Sequence, residues 1–208
     1  MKKLLLLLLV GLFLFSCKKK QTIHITAKNA ATGEPYPGLT YYLVTYTNIN
    51  GGTKSKTVAT GTLDANGEAI VTERLSKNKG HGVRVVEPEN SCYNKNIQLY
   101  FSEEDGENFK AEFEFAECAY QTLKVNNVNC QGPNDLFDMD MKLLYDMEYS
   151  VFGFSEKTGC YSNEFSNETK PAGKYFVEWW VTRNGNTDYF TDTIELIENE
   201  LFVYEINY

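Results

Sequence analysis

Histidine is scarce in this sequence: His24 and His81 are the only two, which excludes a His-rich metal centre. Basic residues are outnumbered, with 20 Lys and Arg against 28 Asp and Glu and a formal net charge of -8. A surface of that sign repels phosphate backbones, so nucleic acid is excluded as a partner. The chain carries no Cys-x-x-Cys, His-Glu-x-x-His, phosphate loop, dinucleotide fingerprint or Gly-x-Ser-x-Gly elbow. Nothing therefore points to a zinc centre, a nucleotide or a hydrolase triad, and no cofactor is expected. Long helical periodicity is missing as well. What remains is an ordinary globular balance over 208 residues, 42% hydrophobic and 23% charged, enough for one large or two small domains.

The N-terminus carries the strongest signal. Met1-Lys2-Lys3 is a short basic segment, and Leu4 to Phe15 is an unbroken apolar run of twelve residues. As a helix that run spans about 18 Å, short of the roughly 30 Å of a bilayer core, so it reads as an export signal rather than a span. It ends in Leu14-Phe15-Ser16-Cys17, which resembles the lipobox of bacterial lipoproteins, with Phe15 bulkier than the residue usual there. The resemblance implies a signal peptide over residues 1–16, lipidation of Cys17, and a basic tether over 17–20. Several acyl chains at about 0.8 kcal/mol per buried CH₂ would anchor the protein permanently to the membrane. It also implies an outer-membrane lipoprotein. The residues after Cys17 lack the acidic pair that tags some such proteins for surface export, so the periplasmic face is expected ahead of the cell surface.

From Gln21 onward the pattern is alternation over five to eight residues, bounded by Gly, Asn, Asp and Pro, which predicts strands and turns. Ile23, Ile25 and Ala27 alternate with Thr22, His24 and Thr26. Val83 and Val85, then Ile97, Leu99 and Phe101, then Phe109, Phe113 and Phe115 continue the series. A second set follows. Met139, Met141 and Leu143 alternate with Asp138, Asp140 and Lys142, and Tyr175, Val177, Trp179 and Val181 share one face of a strand. Both halves place a glycine before an alternating strand (Gly82, Gly173) and then an Ile-x-Leu pair (Ile97-Leu99, Ile194-Leu196). The fold expected is all-β: two tandem Ig-like or transthyretin-like β-sandwiches, over 21–118 and 119–208, with the joint near Ala119-Tyr120.

Thr32-Gly33-Glu34-Pro35-Tyr36-Pro37-Gly38, followed by a strand, and Thr62-Leu63-Asp64-Ala65-Asn66-Gly67-Glu68 resemble the two marks of carboxypeptidase regulatory-like domains. Leu63 lengthens the second by one residue. The resemblance covers roughly residues 21–87 and implies a transthyretin-like sandwich serving as an accessory module without catalytic residues. In it Asn66-Gly67 is expected to make a hairpin bend.

Four candidate features remain. Cys92, Cys118, Cys130 and Cys160 are an even set in an exported chain and permit two disulfides in three possible pairings. If the domains fold separately, Cys92–Cys118 and Cys130–Cys160 would staple one sandwich each. Asp135, Asp138 and Asp140 are a weak calcium candidate, because calcium takes carboxylate oxygens. Their alternation with Met139 and Met141 fits the solvent face of a half-buried strand better. Trp180 and Phe176 lie opposite the apolar face of their strand, where they could contact a sugar or a protein partner. His81, in Gly80-His81-Gly82, is expected in a loop. Together these features predict a membrane-anchored, non-catalytic binding or scaffolding module for an envelope protein or glycan. The alternative is a carboxylate-dependent glycan hydrolase of the envelope, although no pair among the acidic residues stands out.

Overall fold

The structure, a computed structural model, describes residues 18–49, 52–76, 79–102 and 108–208. The expected signal peptide and Cys17 lie outside the described residues. Among the described residues the regular elements are all strands: β1 (Lys18–Asn29), β2 (Thr40–Ile49), β3 (Gly52–Thr62), β4 (Glu68–Ser76), β5 (Gly80–Val85), β6 (Ser91–Asn94), β7 (Leu99–Phe101), β8 (Asn108–Asn126), β9 (Leu136–Leu143), β10 (Asp146–Thr158), β11 (Ser162–Pro171), β12 (Gly173–Arg183), β13 (Asn186–Leu196) and β14 (Leu201–Asn207). No described helix is long and apolar enough to cross a membrane. The protein is all-β, and its sheets are arranged as sandwiches.

The chain divides into two compact units. The first holds residues up to Lys28, Pro35–Val86 and Lys95–Phe113; the second holds Asn29–Glu34, Glu87–Asn94 and Glu114–Tyr208. Strand β8 therefore serves both, with 108–113 in the first unit and 114–126 in the second. Ala119 and Tyr120, where the sequence suggested a joint, lie inside β8.

In the first unit β1 lies between β4 and β8, and a second sheet runs β3-β2-β5-β7. The alternation of β1 explains its place: Ile23, Ile25 and Ala27 are buried, while Thr22, His24 and Thr26 stand half-exposed on the other face. Burying Ile23 and Ile25 stabilises by about 1.5–3 kcal/mol each, which makes the register costly to shift. Ile97 was expected to open a strand, but β7 begins at Leu99 and Ile97 is 74% exposed.

The Asn66-Gly67 bend is not a hairpin, because β3 and β4 belong to different sheets. It is a corner between sheets. Asp64 Oδ1 accepts from the N–H groups of Asn66 and Glu68, both at 2.9 Å, and Ala27 N donates to Gly67 O at 2.9 Å. Gly67 has φ +69, and a Cβ there would stand 2.6 Å from Ala27 O, so this corner requires glycine.

In the second unit β8 is flanked by β11, antiparallel, and β14, parallel, with β6 pairing its 115–117 stretch. The other sheet runs β10-β9-β12-β13. Phe137, Met139, Met141 and Leu143 of β9 and Tyr175, Val177 and Val181 of β12 turn inward to one core. Asn184-Gly185, with φ +50 and +78, closes the β12–β13 hairpin, the two-residue turn whose twist suits an antiparallel pair.

The two units share a strand plan. The triplet β4-β1-β8 with β3-β2-β5-β7 in the first corresponds to β11-β8-β14 with β10-β9-β12-β13 in the second. The sequence parallels have a structural basis: Gly82 and Gly173 lie in β5 and β12, and Leu99 and Leu196 in β7 and β13.

Candidate functional site

Strand β12 places large side chains on both faces. Trp179 joins Tyr175, Val177 and Val181 on the inward face and stacks on Phe190 at 5.5 Å. Phe176, Glu178, Trp180 and Thr182 take the outward face and are each half-buried. Trp180 has Tyr189 of β13 on one side and Asp138 of β9 on the other. Its ring lies 5.3 Å from that of Tyr189, tilted by 32°, so the two form one aromatic surface. Phe176 is four residues along the same face, about 13 Å away, between Thr193 and Lys142. The two aromatics named from sequence thus share a face without sharing a contact patch.

Between them lies a charge network. Lys142 Nζ donates to Glu178 Oε1 at 2.8 Å and pairs with Asp140 Oδ2 at 3.0 Å. Tyr189 Oη donates to Glu178 Oε2 at 3.0 Å. Burial alone would raise the Asp140 carboxyl, but hydrogen bonds from Lys142 and Ser150 outweigh it and hold the pKa below the ordinary value. The Lys142 ammonium is raised by its bonds to Glu178 and Asp140. Tyr189 is raised first by burial and then by Glu178. The network is a locked ion cluster that fixes the rims of the aromatic surface.

The calcium candidate is not realised as a cluster. Asp135 is buried and accepts from Gln131 N at 2.9 Å, with Asn127 Nδ2 and Arg183 Nε both at 3.4 Å. Asp138 accepts from Glu156 N at 2.6 Å, and Asp140 is committed to Lys142, Ser150 and its neighbour Met141 N. Each carboxylate is satisfied by a different set of protein donors, and the described residues contain no group of three acidic, His or Cys side chains placed to hold a metal ion.

Cys92 is bonded to Cys118 and Cys130 to Cys160. Both bonds fall in the second unit rather than one in each, because β6 pairs with β8 beyond residue 114. The first ties β6 to β8; the second ties the β8–β9 connection to the loop after β10.

His81 is not in a loop. It is a residue of β5, 3% exposed, with Nδ1 3.2 Å from Thr45 Oγ1 and Nε2 3.0 Å from Ser76 O. Gly82 marks close packing, not a turn: a Cβ there would meet Gln98 Nε2 at 2.5 Å. His24 lies on the half-exposed face of β1.

Two features escaped the sequence reading. One is Tyr189. The other is the full length of β13, which ends its sheet, has β12 alone as a neighbour there among the described residues, and is exposed from Asn186 to Thr193. The Asn184-Gly185 pair between alternating runs was the signal for both.

No family model matches the sequence, and no curated protein matches it. Forty chains of solved structures do. The Bacillus anthracis TIE protein is 19% identical over 90% of this chain, with a TM-score of 0.35, and this chain spans 34% of it. The minor pilin GBS52 of Streptococcus agalactiae is 11% identical over 90% of this chain and 94% of its own, with a TM-score of 0.35. A streptococcal ancillary pilin is 14% identical over 92% of this chain and 63% of its own, with a TM-score of 0.38. At such scores the overlap is too loose to carry function across.

Proposed function

We propose that the protein is a lipid-anchored lipoprotein of the outer membrane, held through Cys17 on its periplasmic face. In this reading it is a non-catalytic binding module for another envelope protein, with a carboxypeptidase regulatory-like first unit. The observation that carries the binding role is β13, a sheet-end strand exposed over eight residues beside the Trp180–Tyr189 surface. An open edge offers backbone donors and acceptors to an incoming strand, and the adjoining rings supply apolar contact. Asp140 does not suit the acid of a hydrolase. A general acid must keep its proton near neutrality, whereas Asp140 is held ionised in a pair with Lys142.

The test is a photo-crosslinking residue at Thr191 of β13, with a control at Glu164 of β11, in cells. A discrete protein adduct from position 191 and none from 164 is expected; equal yields, or none at 191, would sink the reading. Labelling of cells with a radioactive fatty acid tests the anchor separately: incorporation into the wild-type chain and none into Cys17→Ala is expected. A glycan stacked on Trp180 is the second reading, favoured by the paired rings. It predicts glycan retention that Trp180→Ala abolishes.

A further inference from the structure

Four cations of the first unit lie together without an acidic partner among the described residues, whereas four of the second unit's six are paired. In the second, Lys124, Lys142, Lys170 and Arg183 each have an acidic partner within 4 Å. In the first, Lys20, Lys56, Arg74 and Lys79 form no ion pair with any described residue. The fold nevertheless gathers them. Lys20 stands directly opposite Arg74 in the antiparallel β1–β4 pair, an arrangement of like charges that is destabilising by itself. Lys56, Arg74 and Lys79 line one depression of about 150 Å³, whose other walls include the hydroxyl residues Thr45, Thr47 and Ser76. Four cations with hydroxyl donors beside them, in a chain of net charge -8, make a local field that an anion would relieve. Their place in the chain identifies its source. Lys18, the first residue of β1, is opposite Ser76 at this end of β4, and the residue before it is Cys17.

We propose that Lys20, Lys56, Arg74 and Lys79 form a docking face for anionic phospholipid headgroups, which holds the first unit against the membrane that Cys17 enters. The proposal deepens the membrane reading and rests on it. The phosphate diester of a headgroup accepts from the guanidinium and ammonium donors, and the Thr47 and Ser76 hydroxyls of the lining suit its remaining oxygens. Residues scattered from position 20 to position 79 thereby act as one surface, whereas the tether alone supplies only consecutive lysines.

The experiment titrates the full chain carrying Cys17→Ala, so that no acyl chain contributes, with phosphatidylcholine vesicles and with vesicles one-third phosphatidylglycerol. The leader adds the same apolar affinity to every arm, so the anionic-to-neutral ratio reads the cations. Each cation near an anionic surface is worth about fivefold in affinity. Adding Lys56→Gln and Arg74→Gln together is expected to lower the ratio about 25-fold, while Lys157→Gln with Lys174→Gln in the second unit lowers it less than threefold. An equal fall in both pairs, or no preference for anionic vesicles, overturns the proposal. Release by inorganic phosphate well beyond that by chloride at matched ionic strength assigns the site to a soluble anion and overturns the lipid source. Failure of the anchor itself appears elsewhere, as a wild-type chain that takes up no labelled fatty acid.

Discussion

The two units follow the same strand order and reinforce it by different means. The second has 11-residue strands at β12 and β13 where the first has six residues at β5 and three at β7. Its core is rich in rings, with Phe137 stacked on Tyr208 at 4.3 Å, and both disulfides lie within it. The first unit buries Ile23, Ile25, Leu43, Val71 and Val83 with Phe101 and Phe113, stacks Phe101 on Phe109 at 4.7 Å, places a His81–Thr45 pair among them, and holds neither disulfide. A sheet plan thus constrains which strands pair and leaves open what holds them. At matching positions the plan accepts strands of three and of eleven residues, β7 and β13, and both disulfides lie in the unit with the longer one.

The largest expected break in this comparison is covalent. The bridges close segments of 26 and 30 residues, for which loop entropy predicts about 3–4 kcal/mol each. Replacing all four cysteines by serine should therefore lower the second unit's stability by an amount comparable to that of a whole small domain. Hydrogen exchange read at separate amides checks it. Protection at Val177 and Leu196 should collapse, while Ile23 and Ile25 keep most of theirs. Equal losses in both units would show that the disulfides support the chain as a whole.

Much of this plan was legible in the sequence wherever one face of a strand is buried. Strand β9 reads directly from Met139, Met141 and Leu143 against Asp138, Asp140 and Lys142, and β12 from its alternating rings, because burial imposes the period of two. Strands β10 and β11 were not readable. They are mostly exposed and carry register shifts, at Phe154/Lys157 and Phe165/Glu168, so burial imposes no clean period on them. The candidate site was half legible. Trp180 and Phe176 could be placed on a face, but their true neighbours come from β13 and β9, and cross-strand partners depend on a register that only the assembled sheet defines. His81 failed for a related reason: glycines beside a histidine look like a turn until the packing of Gln98 against Gly82 is known.

A smaller break compares two glycines. Gly67→Ala at the inter-sheet corner of the first unit combines φ +69 with a Cβ 2.6 Å from a backbone oxygen, and backbone cannot yield as a side chain can. A loss of about 2–3 kcal/mol is expected. Gly185→Ala in the β12–β13 hairpin has a similar φ of +78 but open space around the new methyl, so only the conformational cost of about 1 kcal/mol applies. Chemical denaturation of both variants checks the order. If Gly185→Ala is the more damaging, the hairpin and not the corner limits its unit.

The smallest effect is set by pH, and it too separates the units. Among the described residues, the carboxyls held below their ordinary range, Asp135, Asp140 and Glu164, lie in the second unit. Asp135 is lowered chiefly by the Gln131 N–H, with Asn127 and Arg183 adding to it against the opposing effect of burial. Arg183 also donates to Asn127 Oδ1 at 3.0 Å and lies over the Tyr208 ring at 5.4 Å, so the carboxylate joins the β8–β9 connection to the end of β12 and the C-terminus. A carboxyl whose pKa is lower folded than unfolded contributes fully above its ordinary value near 3.8, and that contribution disappears as the pH falls through the lowered folded value. Acid titration from neutrality should therefore leave the second unit steady down to about pH 4 and weaken it below. Asp135→Asn keeps the shape but removes the titration, so the variant begins less stable at neutral pH and its acid limb is flatter. Amide exchange at Val181 and Phe137 across that range reads the difference. An unchanged slope in Asp135→Asn would transfer the acid sensitivity to Asp140 and Glu164, where Lys142 and Ser166 supply the stabilising bonds.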